Sequence, residues 1–91
     1  MAKKKWRFET SVIHGAQTPE KWMSASLAPI YQSAAHRYDT AEELSAVFAG
    51  KAEGFTYQRL SNPTNDVLEK RLCLLEGGRA AVVTSSGMAA V

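Results

Sequence analysis

The chain has 91 residues, 45% of them hydrophobic and 22% charged, with a formal net charge of +2, which fits at most one small domain of ordinary globular balance. No run approaches the ~20 apolar residues of a membrane span, and the early lysines lead into Trp6-Arg7-Phe8-Glu9-Thr10, where a secretory signal would carry an apolar core. A single cysteine, Cys73, excludes an internal disulfide and a cysteine-built metal cluster, and a cytoplasmic protein is expected.

Lys3-Lys4-Lys5, with Arg7, is the basic cluster of the chain. Without a second basic block it reads as a solvated tail, not as a nucleic-acid or membrane contact. Residues 1–38 sustain neither a 3.6 nor a 2.0 period and carry Gly15, Pro19 and Pro29, so they read as an irregular arm. An arm that holds Trp6, Phe8, Ile13, Trp22, Leu27 and Tyr31 is too apolar to be disordered and is expected to lie on another surface. His14 and His36 have no second ligand at metal spacing and read as packing residues.

Regular structure is predicted from Thr40 onward. Thr40 is placed as an N-cap with Glu43 completing a capping box, Leu44, Val47 and Phe48 share one face, and Gly50 supplies the stop. Phe55, Tyr57 and Arg59 then alternate at period two, as in a strand. Asn62-Pro63 opens a second helix in the favoured order of cap and proline. Val67, Leu68, Leu72, Leu74 and Leu75 form its apolar arc; Arg71 falls inside the arc and is expected to lay its methylenes along it, whereas Cys73 falls outside with nothing nearby to activate its thiol. Gly77-Gly78 ends the helix, Ala80–Val83 is an unbroken apolar run as in a strand buried on both faces, and Ser86-Gly87 opens another helix. Helix, glycine loop, strand and helix make one αβα unit of an α/β, doubly wound fold.

Two stretches suggest one anion site. In a strand, alternate side chains share a face about 7 Å apart, so Tyr57 and Arg59 can address the same anion with a hydroxyl and a bidentate guanidinium. Ser86, Gly87 and Met88 start a helix whose first amides lack intrahelical acceptors and can receive another side of that anion. A serine nucleophile elbow is excluded, because Val83, Thr84 and Met88 stand where its glycines are required.

Taken in order, Pro29-Ile30-Tyr31-Gln32, Tyr57-x-Arg59, Asn62-Pro63-Thr64, Leu68-Glu69, Leu75-Glu76-Gly77-Gly78 and Ser86-Gly87-Met88-Ala89-Ala90 resemble the beginning of the Cys/Met-metabolism family of pyridoxal-phosphate enzymes, which includes O-acetylhomoserine sulfhydrylases, methionine γ-lyases and the cystathionine synthases and lyases. The likeness runs over nearly the whole chain but only over the family's first part. It implies an N-terminal arm plus the first αβα unit of a PLP-dependent transferase fold of the aspartate aminotransferase-like type I class, incomplete in these residues. Residues 1–60 would form the arm, with a short helix and contacts to a neighbouring subunit, and residues 61–91 the start of the large PLP-binding domain. Tyr57 and Arg59 would reach the cofactor phosphate of that neighbour, while Ser86, Gly87 and Met88 would hold the phosphate of their own subunit. The expected partners are the remainder of the same enzyme, a second subunit in a homodimer or homotetramer, and an amino acid substrate.

Pyridoxal phosphate chemistry also needs a lysine to hold the cofactor and an acid beside its ring nitrogen. By the same resemblance both lie past Val91, and Lys3, Lys4, Lys5, Lys21, Lys51 and Lys70 occupy neither position. No catalytic residue is therefore assigned, and the 91 residues alone are expected to be inactive. The reaction implied is γ-replacement on an O-acyl-homoserine, with methionine or cystathionine γ-elimination as the alternative. A reading of another class is a complete, non-catalytic binding or oligomerisation module that has kept the anion site; the end of the chain inside an uncapped helix favours a segment of an enzyme.

Overall fold

The structure is a computed structural model and describes residues 5–91, so Lys3 and Lys4 of the basic start lie outside the described residues. Its elements are α1 (Phe8–His14), a 3-10 turn (Pro19–Lys21), α2 (Ala41–Phe48), α3 (Pro63–Glu76) and α4 (Gly87–Ala90). The chain divides into two compact units, one made of the residues up to Pro29 with Val67–Val91, the other of Ile30–Asp66.

In the first unit the arm is not irregular throughout, because α1 forms within it. Glu9 in its first turn complements the helix dipole, and Phe8 and Val12 stand four residues apart on one side. Seven residues are too few to display a sustained period, which is why this helix escapes a periodicity reading. The Gln17 amide donates to the Ile13 carbonyl at 3.0 Å, and the Trp6 ring meets His14 edge-on with centroids 5.8 Å apart. Arg71 does more than cover the apolar arc, since its Nε donates to the Gly15 carbonyl at 2.9 Å and ties α3 to the end of α1. Trp22 is the buried hydrophobic residue of the described chain.

α3 ends in a Schellman motif. Gly77 takes φ 66°, Gly78 N–H bonds the Cys73 carbonyl at 2.9 Å, and Gly77 N–H bonds that of Leu74 at 3.4 Å. The Cys73 thiol donates to the Gly78 carbonyl at 2.8 Å, so it serves the cap. The strand expected over Ala80–Val83 is not formed among the described residues. A strand exists only with a partner ladder, and here Val83 N–H donates instead to Glu69 Oε2 at 3.0 Å.

In the second unit α2 is closed at both ends by its own sequence. Thr40 Oγ1 accepts from Glu43 N–H at 3.2 Å, and Gly50, at φ 74°, lets Lys51 N–H reach the Ala46 carbonyl at 2.8 Å and Gly50 N–H that of Val47 at 3.1 Å. Tyr38 OH donates to the Phe55 carbonyl at 2.8 Å and stands where a side chain at Gly54 would go.

The strand expected over Phe55–Arg59 reduces to one antiparallel bridge, Ala35 to Tyr57, flanked by His36 N–H on the Thr56 carbonyl at 2.9 Å and Gln58 N–H on the Ala34 carbonyl at 2.8 Å. Immediately after it the backbone turns, with Leu60 N–H on the Tyr57 carbonyl at 2.9 Å. Period two persists in the side-chain types, but the turn takes Arg59 out of extended geometry.

Candidate functional site

The bridge and turn set Tyr57 and Arg59 on one open cavity of about 570 Å³ in the second unit, lined also by Tyr31, Gln58, Asn62 and Thr64. Arg59 does not sit beside Tyr57 along a strand; the turn folds it back until its guanidinium carbon is 5.4 Å from the centre of the Tyr57 ring. Such a cation–π contact is worth about 0.5–1 kcal/mol at an exposed site, enough to bias the side chain towards the cavity without satisfying its N–H donors. Among the described residues the guanidinium has no carboxylate partner. A planar cation with unclaimed donors, beside a phenol in a polar cavity, is suited to a bidentate oxyanion such as a phosphate monoester.

Another part of the lining is built by the start of α3. Asn62 Oδ1 accepts from Thr64 N–H at 2.9 Å, which makes Asn62 the helix cap that its place before Pro63 predicts. The same side chain donates from Nδ2 to the Tyr31 carbonyl at 3.2 Å, and Thr64 Oγ1 accepts from Tyr31 N–H at 2.7 Å. Asn62 is only 6% exposed, so loss of its partners would leave its own amide with little water to replace them. The Asn-Pro order signals the cap; the bonds to Tyr31, across 31 and 33 positions of chain, leave no local trace in the sequence.

Ser86, Gly87 and Met88 lie together at the start of α4 in the first unit. Ser86 Oγ accepts from Ala89 N–H at 3.1 Å, so the hydroxyl caps the turn. Gly87 has no positive φ, and no atom lies within 4 Å of the place a Cβ would occupy; neither its conformation nor its packing in this chain calls for glycine. Met88 is exposed. His14 is engaged with Trp6, and His36 rests against Phe55 with ring centroids 5.9 Å apart and its Nε2 buried without a protein partner. Among the described residues no group of three or more His, Cys, Asp or Glu side chains is arranged to hold a metal ion, and no helix is long and apolar enough to cross a membrane.

A family model described as Cys/Met metabolism PLP-dependent enzyme matches residues 9–91. The chain is 48% identical over 85 residues to the O-acetyl-L-homoserine sulfhydrylase of Corynebacterium glutamicum, covering 93% of this chain and 20% of that protein. It is 45% identical over 84 residues to O-acetyl-L-homoserine sulfhydrylase 1 of Thermus thermophilus, covering 92% and 20%, and 42% identical to the L-methionine gamma-lyase of Pseudomonas putida, covering 92% and 21%. A crystal structure from Campylobacter jejuni, assigned as an O-acetylhomoserine (thiol)-lyase and carrying N'-pyridoxyl-lysine-5'-monophosphate, superposes with a TM-score of 0.85 at 38% identity, over 94% of this chain and 21% of the other. The chain thus spans about one fifth of the length of the relatives it matches, and its fold is that fraction of theirs.

Proposed function

Because this chain belongs to the Cys/Met metabolism family of PLP-dependent enzymes, we propose that it forms the phosphate-facing N-terminal part of a sulfhydrylase that carries out γ-replacement on an O-acyl-homoserine. The observation that carries this reading is the Arg59 guanidinium, held on the Tyr57 ring at a polar cavity with no carboxylate partner among the described residues. The choice of reaction follows the sulfhydrylases at 45% and 48% identity. When bound, pyridoxal phosphate supplies an electron sink for the carbanion left at the substrate α carbon.

The residues of this chain bind and orient. Arg59 and Tyr57 donate to the phosphate of a neighbouring subunit's cofactor, and the Gly87 and Met88 amides, on a turn capped by Ser86, serve the phosphate of their own subunit. The vacant Cβ position of Gly87 is room for a ligand to approach the backbone. Residues 1–60 then form the arm of a homo-oligomer and residues 61–91 the start of the large domain of a cytoplasmic enzyme. The covalent lysine comes from outside these 91 residues, as position 205 of the Campylobacter jejuni chain suggests.

The test is made on the protein as it occurs, by intact mass, absorbance, and product analysis with O-acetyl-L-homoserine and sulfide. Expected are bound pyridoxal phosphate and formation of homocysteine and acetate. Arg59→Ala should weaken cofactor retention by about 10- to 100-fold, since a hydrogen bond to a charged group contributes about 1.5–3 kcal/mol. A colourless protein that takes up no pyridoxal phosphate, with Arg59→Ala indistinguishable from it, overturns the reading and leaves the non-catalytic module. The methionine gamma-lyases at 42% and 43% identity support elimination as a second reading, recognised by release of a thiol, ammonia and a 2-oxo acid from methionine.

A further inference from the structure

The hydrogen bonds among Asn62, Thr64 and Tyr31 form a closed circuit. Tyr31 N–H donates to Thr64 Oγ1, Thr64 N–H donates to Asn62 Oδ1, and Asn62 Nδ2 returns to the Tyr31 carbonyl. Both backbone groups of one residue are thereby held by two side chains, in the manner in which a neighbouring strand would hold them. The bridge partner Ala35 and its neighbours are secured to the Tyr57 segment by backbone bonds; Tyr31 is secured by these side chains. Tyr31, Asn62 and Thr64 line the same cavity as Arg59 and Tyr57, so the circuit joins one wall of the cavity to the rigid start of α3.

We infer that Asn62 and Thr64 are positioning residues of the anion cavity, which set its affinity for the phosphate of pyridoxal phosphate by fixing the Tyr31 main chain in the lining it shares with Arg59. This rests on the phosphate reading above. The two residues divide the task differently. Asn62 both caps α3 and holds the Tyr31 carbonyl, and Ser in its place keeps a cap acceptor while losing the amide donor and adds no charge. Thr64 contributes its hydroxyl to Tyr31 N–H; Val keeps its shape without the acceptor, and Ser keeps the acceptor without the methyl group.

The experiment measures pyridoxal phosphate affinity by fluorescence titration and amide hydrogen exchange at Tyr31 by NMR or mass spectrometry, in the apo form of the protein as it occurs. Thr64→Val should accelerate exchange at Tyr31 and weaken affinity about tenfold; Thr64→Ser should do neither. Asn62→Ser, with α3 retained by circular dichroism, should weaken affinity to a similar extent without adding a charge to the cavity, and serves as the second variant should Thr64→Val fold poorly. Faster Tyr31 exchange with unchanged affinity overturns the inference, because the wall then moves without consequence. Weaker affinity with unchanged Tyr31 exchange also overturns it, by making Thr64 a direct contact. A wild-type protein that takes up no pyridoxal phosphate overturns the phosphate reading itself, and is told apart from failure of the positioning role by being seen before any substitution.

Discussion

Gly15 is a glycine that the fold requires, and Gly87 one that it does not. A Cβ at Gly15 would stand 2.5 Å from the Ser11 carbonyl oxygen and 2.7 Å from Leu74 Cδ2, and the Gly15 carbonyl is the acceptor for Arg71 Nε. The nearer obstacle is backbone, which cannot swing aside as a side chain can. In the protein as it occurs, Gly15→Ala should therefore cost about 1–3 kcal/mol, the usual cost of overpacking, seen as a lower midpoint in thermal or urea unfolding. Gly87 meets nothing, so Gly87→Ala should leave the unfolding midpoint within the ~0.5 kcal/mol of a neutral surface change. If the open place serves a ligand, the same substitution should weaken pyridoxal phosphate uptake about tenfold, the order of one lost hydrogen bond to an anion. A change in both measurements, or in neither, would deny Gly87 a part in binding.

At the scale of elements, what the sequence announces is what neighbours in the chain decide. α2 is closed by Thr40 on Glu43 N–H and by the Gly50 turn, contacts within a few residues that propensity and capping rules foresee. Thr40→Ala should cost about 1 kcal/mol, and Gly50→Ala a similar amount from the left-handed φ of 74°, since no neighbour lies within 4 Å of it. The eight-residue helix, about 12 Å long, lies between the two changes, so their effects should add; the double variant's unfolding free energy checks this, and strong non-additivity would mean that the ends are coupled through packing. The start of α3 was legible on the same terms, through Asn62-Pro63. Ala80–Val83 and Phe55–Arg59 were not, because a strand is completed by hydrogen bonds to chain that local composition does not specify. Val83 turned to Glu69, and the turn after Tyr57 placed Arg59 on the ring. The partnership of Tyr57 and Arg59 was thus visible in residue type, while its geometry and the Tyr31 circuit depended on contacts distant in sequence.

At the scale of the whole chain the decisive quantity is apolar surface without cover. Trp22 is buried, yet Met23 is 98% exposed, Ile30 78%, Val82 81% and Leu27 73%. Scattered exposed hydrophobics are ordinary on a folded surface, but here they accompany α3 residues Leu68, Leu72 and Leu74, each more than 40% exposed along a helix whose apolar face would normally lie in a core. Burial of a single Leu or Ile side chain is worth about 1.5–3 kcal/mol, so a chain that leaves many of them in water forgoes much of what opposes its conformational entropy. The 91 residues studied in isolation should therefore bind a hydrophobic dye such as ANS, associate as concentration rises, and unfold without a sharp cooperative transition. Sedimentation velocity over a range of concentrations, with a thermal melt of the same samples, checks this. A monodisperse monomer with a sharp melt and no dye binding would mean that these side chains need no further cover, which favours a self-sufficient binding module over one part of an enzyme. Concentration-dependent association would instead mean that these side chains need surfaces from another chain or copy to cover them, in keeping with relatives in which the matched stretch is about one fifth of the length.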